Sequence, residues 1–240
     1  MVKHAHVRIG FVVLVVMLGM VTASANIPSQ GQVSGGPGLV DRFLAPDQAP
    51  LVSYRALRRL TASTRGGKMT AAIEVMTSLD PTAGFTYQIT AQEGSGTIRN
   101  HVLLPALQAE QKAMKNADAK QMALTRDNYE FLSVAGDDPA APEALTQVDI
   151  KPRRKHAMLI SGSVFLEGGS ADLVRVEGEP TERPSFWTRH VKIIREYARV
   201  SGVRVPVSMR STADVLVVGA SNFAMTYHYT EINGVPVDQR

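Results

Sequence analysis

From Met69 onward, apolar and polar residues alternate along much of the chain. In MTAAIEVMTSL, Met69, Ala71, Ile73, Val75, Thr77 and Leu79 fall on one side of an extended backbone. Asp80-Pro81 breaks that run, and GFTYQIT then sets Phe85, Tyr87 and Ile89 on one face. Two alternating runs around a turn signal predict a β-hairpin. After Leu145 the pattern becomes strand upon strand. LTQVDIKP, HAMLISGSVFLE and ADLVRVEGEP are separated by PRRK and GGS turns, and GVRVPVSMR, ADVLVVGA and NFAMTYHYTEI follow. Such runs, with short turns and no helix between them, imply an antiparallel meander.

Two stretches carry helical signals. Tyr54, Leu57 and Leu60 recur at helical spacing ahead of Gly66-Gly67, which predicts a short amphipathic helix with a glycine stop. His101 to Leu124 is rich in Ala, Gln, Lys, Glu and Met, a composition that predicts a longer helix. Asn128 to Val134 reads as a short strand, and AGDDPAAPEA as a loop.

The stretch RPSFWTRHVKIIREYARVSGVRVPVSMR is ambiguous. Trp187, Val191, Ile194 and Ala198 make a helical stripe that Gly202 would cap. An extended chain instead puts Trp187, Val191, Ile193 and Tyr197 on one face with Arg189, Arg195 and Arg199. The β runs on both sides favour a strand, with the arginines as its polar part. Trp187 is then a residue of a cavity wall or rim, or an ordinary core tryptophan.

The first residues follow another logic. Lys3 and Arg8 lead into an apolar run from Ile9 to Val21, and Ala23-Ser24-Ala25 follows. A basic start, an apolar centre and an Ala-x-Ala ending predict a secretory signal peptide over residues 1–25. The apolar run is shorter than the ~20 residues of a membrane-spanning helix. A Gly/Pro/Ser/Gln-rich leader over 26–38 and one domain over 39–240 complete the expected organisation. Lys3 and Arg8 are the only charged side chains in residues 1–25, so cleavage lowers the formal net charge from +4 to +2. That small excess gives no support for nucleic-acid binding.

The chain has no cysteine, which excludes disulfides, thiolate metal sites, a cysteine nucleophile and a lipid-modified N-terminal cysteine. Export without cysteine points to a bacterial periplasm, with the cell exterior as the alternative.

Catalytic patterns are weak. His101, His156, His190 and His228 stand in no HExxH or close pair with metal-ligand spacing. Ser163 in GSVF and Ser221 in GASNF complete no GxSxG elbow. GGKMT at Gly66 lacks the leading glycine of a phosphate loop, since position 62 is Ala. Glu177 and Glu179 share a strand face as solvated charges, and Asp137-Asp138 lack the ligand count that calcium requires. No cofactor is expected. The basic turn Arg153, Arg154 and Lys155 is either a charged turn protecting a sheet edge or a docking patch for anionic lipid heads or an acidic partner.

From Leu145 to Val235 the order of strands and turns resembles the outer-membrane lipoprotein-sorting superfamily, the LolA-like half-barrels. LTQVDIKPRRKHAMLI, VFLEGGSADLVRVEGEP, VSGVRVPVSMR and VVGASNFAMTYHYTEINGVPV carry the likeness. Within them, Asp172 to Gly178 matches a D-x-x-R-x-x-G strand, and Gly202 to Pro206 a G-x-x-V/L-P step. The resemblance implies an α+β fold: a strongly curved antiparallel sheet forming a half-open β-barrel, with helices filling or covering its concave side. It further implies a periplasmic carrier without a catalytic step, holding lipid or lipoprotein acyl chains on that concave face, and envelope membrane proteins as further partners. Trp187, Val191, Ile193, Tyr197, Val174, Val176 and Phe165 are the expected cavity residues, and Arg153, Arg154 and Lys155 the expected docking residues. The alternatives are an envelope scaffolding module that holds a protein segment, and an exported hydrolase.

Overall fold

The structure is a computed structural model that describes residues 38–47, 49–115, 119–132, 145–182, 188–216 and 219–238. The expected signal peptide, most of the leader, Asp137-Asp138 and Trp187 lie outside the described residues.

Among the described residues, eleven strands form one sheet: β1 (Tyr54–Thr64), β2 (Met69–Asp80), β3 (Gly84–Gly94), β4 (Tyr129–Leu132), β5 (Leu145–Pro152), β6 (Ile160–Glu167), β7 (Leu173–Pro180), β8 (Thr188–Val200), β9 (Val203–Val215), β10 (Gly219–Ile232) and β11 (Val235–Pro236). Their order is β3-β2-β1-β10-β9-β8-β7-β6-β5-β4, with β11 beside β10. The strand pairs are antiparallel. The sheet is strongly curved and does not close, as the half-barrel expectation requires. The predicted hairpin is β2–β3, and the predicted meander runs from β5 to β10.

The helix predicted around Tyr54 to Leu60 is not formed. That segment is the strand β1, which buries Tyr54, Ala56, Arg58, Leu60, Ala62 and Thr64 in strict alternation. It lies between β2 and β10, where both edges of its backbone are hydrogen-bonded. That pairing outweighs the weak helical spacing of three side chains.

The ambiguous stretch forms a strand from Thr188. Ser201 and Gly202 both have positive φ, and Val200 pairs with Val203 across them. Two left-handed residues make the tight turn whose twist suits a hairpin, so Gly202 joins β8 to β9 and caps no helix.

Helices cover the concave side. After β3, Ser95 accepts a hydrogen bond from the Ile98 amide and starts a continuous run: α2 (Gly96–Ile98), a π-helical segment (Arg99–Leu103) and α3 (Leu104–Lys115). The Leu104 amide reaches back to the Arg99 carbonyl, and Pro105, next along, has no amide to donate. Proline also crowds the carbonyl four residues back, which accounts for the wider turn ahead of it. A short α4 (Ala119–Met122) follows, so the helix predicted from His101 to Leu124 is met by the π-helical segment, α3 and α4. Ile98, Val102, Leu103, Ala106 and Leu107 are buried in one core with Ala56, Leu60, Ile73, Val75 and Met225 of the sheet. A separate helix, α1 (Leu39–Leu44), buries Leu39 and Phe43 in the same core. The Arg42 guanidinium of α1 donates to the carbonyls of Gly168 and Gly169, each at 2.8 Å, tying it to the β6–β7 turn.

Candidate functional site

The strand register builds the site row by row. Arg58 lies opposite Val75 on β2 and Tyr227 on β10. The next inward-facing row places Leu60 between Ile73 and Met225, and Met225 opposite Met209, which faces Arg195 on β8. Two arginines therefore project onto a face made largely of apolar and tyrosine side chains.

Arg58 is fully buried and Glu110, from α3, is 2% exposed. The guanidinium grips the carboxylate through two hydrogen bonds, Nη1 to Oε2 at 2.7 Å and Nη2 to Oε1 at 3.1 Å. Nη2 also donates to the Tyr54 hydroxyl, and Nη1 lies 3.8 Å from the Met225 sulfur. Its Nε is buried and has no hydrogen-bond partner among the described residues. The charge centre stands 4.4 Å from the ring centroid of Tyr227, 5.2 Å from Phe85 and 5.6 Å from Tyr54, an aromatic cage suited to a cation. Burial acts against the Arg58 charge, yet Glu110 and the tyrosines hold its pKa well above the ordinary value. Burial pushes the Tyr54, Tyr227 and Tyr229 hydroxyls upward. Tyr229 stacks on Tyr227 and donates to the Pro206 carbonyl at 2.8 Å.

Arg195 belongs to the same cluster of side chains. It is 4% exposed, its Nη2 lies 3.8 Å from the Met209 sulfur, and it bonds with Tyr197. Burial opposes its charge, while Tyr197, Tyr227 and Glu110 raise its pKa. Glu110 thus acts on two guanidiniums at once.

The residues expected at the cavity are dispersed. Val191, Ile193 and Val176 are buried in the core, and Tyr197 is half-buried beside Arg195. Val174 is half-buried next to the register shift between β6 and β7. Phe165 does not face the concave side. It pairs with Arg175, whose guanidinium lies 4.0 Å from its ring centroid, on the face opposite Val164 and Val176.

In the basic turn, Arg153 donates to the Arg126 carbonyl at 2.7 Å and to Glu130 at 3.2 Å. Arg154 donates to Asn128 at 2.7 Å and to the Gln121 carbonyl. Both arginines thereby fasten the chain from Gln121 to Glu130, while Lys155 is exposed.

The other candidate chemistry is structural in its contacts. Ser163 bonds with Asp149 and Gln147, and Ser221 with Thr64. Glu177 pairs with Arg175 at 3.7 Å. No cluster of three metal-ligating side chains occurs among the described residues. An open groove of about 550 Å³ lies on the opposite face of β1, β2, β3 and β10. Small residues such as Thr61, Ser63 and Ala72 form its floor, and Arg59 and Glu93 its end.

Sequence inspection missed the Arg58–Glu110 pair. The usable signal was the alternation Tyr54, Ala56, Arg58, Leu60, Ala62, in which one arginine occupies an apolar position.

No protein-family model matches the chain, and no curated protein does. A similar solved structure is the crystal structure of a DUF1329 family protein from Desulfovibrio piger, at 10% identity and a TM-score of 0.37, covering 74% of this chain and 84% of that one. At that identity and TM-score the likeness says nothing of a site or a ligand.

Proposed function

We propose that the protein is a periplasmic carrier that holds acyl chains, of lipids or lipoproteins, on the concave face of its sheet and performs no catalytic step. The supporting observation is the cover itself. A helical run lies over an apolar sheet and meets it through Ile98, Val102, Leu103 and Leu107 and through the buried ion pair Arg58–Glu110.

Magnitudes favour exchange of that cover for a ligand. Four buried aliphatic side chains contribute about 6–12 kcal/mol, at about 1.5–3 kcal/mol each. A methylene contributes about 0.8 kcal/mol, so a chain of about 8 to 15 methylenes matches the helix contacts it would displace. Lifting the helix also separates the buried ion pair, so the exchange is favoured when the incoming ligand compensates the Arg58 charge that Glu110 leaves behind. The LolA-like resemblance implies the same use of the concave face.

Mass spectrometry of organic extracts from the purified chain tests this. The expected result is about one acyl-bearing molecule per protein. An empty protein that also takes up no added lipid would overturn the proposal.

A further inference from the structure

We propose that the ligand is a carboxylate amphiphile, a free fatty acid, whose carboxylate takes Arg58 in the place that Glu110 now occupies. This rests on the acyl-carrier reading above and names its substrate class.

The two parts of the present cover correspond to the two parts of such a molecule. Leu103 and Leu107 fill the apolar face as an alkyl chain would, and Glu110 presents a carboxylate to Arg58 as a fatty-acid head would. Arg58 is fully buried, so it cannot lose Glu110 to a neutral ligand without leaving a buried charge uncompensated. An alcohol or ester of the same chain length displaces the helix at that penalty. A carboxylate displaces it and restores the pair.

The guanidinium also has capacity that Glu110 does not use. Glu110 takes the edge formed by Nη1 and Nη2 and leaves the buried Nε without a partner among the described residues. A helix side chain is held by its backbone, whereas a free carboxylate can shift to the edge that includes Nε. The Tyr54 hydroxyl already touches Nη2 and is placed to donate to an incoming oxygen. Arg195 feels the Glu110 charge as well and adds a second positive field beside Arg58. The aromatic cage of Tyr227, Phe85 and Tyr54 around the Arg58 guanidinium is built from β10, β3 and β1, with no ring from the helix.

The test compares dodecanoate with dodecanol by titration calorimetry on the purified full chain, on Glu110→Gln and on Arg58→Met. The wild-type chain is expected to bind dodecanoate at least about tenfold more tightly than dodecanol, since one lost charge-assisted contact is worth that much or more. Glu110→Gln removes the internal competitor and widens the gap, and Arg58→Met closes it. If Arg58→Met fails to fold, the widening in Glu110→Gln decides. Equal binding of acid and alcohol, or a gap that persists in Arg58→Met, overturns the carboxylate assignment while the carrier function stands. Binding of neither overturns both.

Discussion

Arg58 and Tyr227 are register partners on neighbouring strands, and the guanidinium stands 4.4 Å from the centre of the tyrosine ring. A cation is thereby set in the middle of an apolar sheet by contacts that the strands themselves supply. The carboxylate of Glu110 completes its charge balance from an element far along the chain. Glu110→Ala should therefore destabilise the fold by about 3–5 kcal/mol, the usual result of stranding one member of a buried pair. The double replacement Arg58→Met with Glu110→Leu should cost less than Glu110→Ala alone. Urea denaturation of the variants measures both, and a loss below about 1 kcal/mol for Glu110→Ala would contradict the buried-pair account.

Gly162 and Gly178 face each other across β6 and β7. A Cβ on Gly162 would lie 2.1 Å from the Glu177 carbonyl oxygen, and one on Gly178 2.2 Å from that of Ser161. Backbone atoms cannot rotate away as a flexible side chain does. Gly162→Ala should lower stability by about 1–3 kcal/mol, the range for overpacking, with the change read as a shift in the thermal midpoint. Gly67→Ala is a poor control because its φ is +86°, so Gly38→Ala, with only a 3.6 Å contact, serves instead.

Asp172 gives the fold an acid-sensitive tie. Its carboxylate accepts from Arg199 at 2.5 and 2.6 Å and from Arg204 at 3.0 Å. Burial pushes its pKa up, but the two arginines outweigh that and hold it below the usual carboxylate value. A depressed folded pKa means stability that is present above the unfolded value, about 3.9, and lost as pH falls through the folded one. Wild-type stability should fall as pH drops below about 4, and Asp172→Asn should be less stable at pH 7 with a flatter acid limb. Urea midpoints at pH 3, 5 and 7 check this, and parallel pH profiles for the two proteins would refute it.

Much of the sheet was legible because its strands alternate cleanly. Ile73, Val75 and Leu79 against Glu74, Met76 and Asp80 give β2 an unmistakable period, and Asp80-Pro81 marks its end. The ends of β5 are legible for the same reason. Strand β1 was not, since its inward positions include Ala56 and Ala62, which carry little hydropathy, and Arg58, which carries the wrong sign. Tyr54, Leu57 and Leu60 then left a helical spacing as the stronger local pattern. Arg195 was hidden likewise, grouped with Arg189 and Arg199 as the polar part of a strand although it faces the core. Nor does anything near Glu110 mark it as the partner of a residue 52 positions earlier. That pairing exists only once the helix folds back across the sheet.

On the carrier reading proposed above, the helical run from Gly96 to Lys115 is a cover that gives way to an acyl chain. Amide hydrogen exchange over that run, measured with and without saturating dodecanoate, tests it most directly. Faster exchange is expected in Ile98 to Lys115 when ligand is bound, with no loss of protection in β1 and β10. Bound ligand with unchanged or slower exchange across the helix would contradict it.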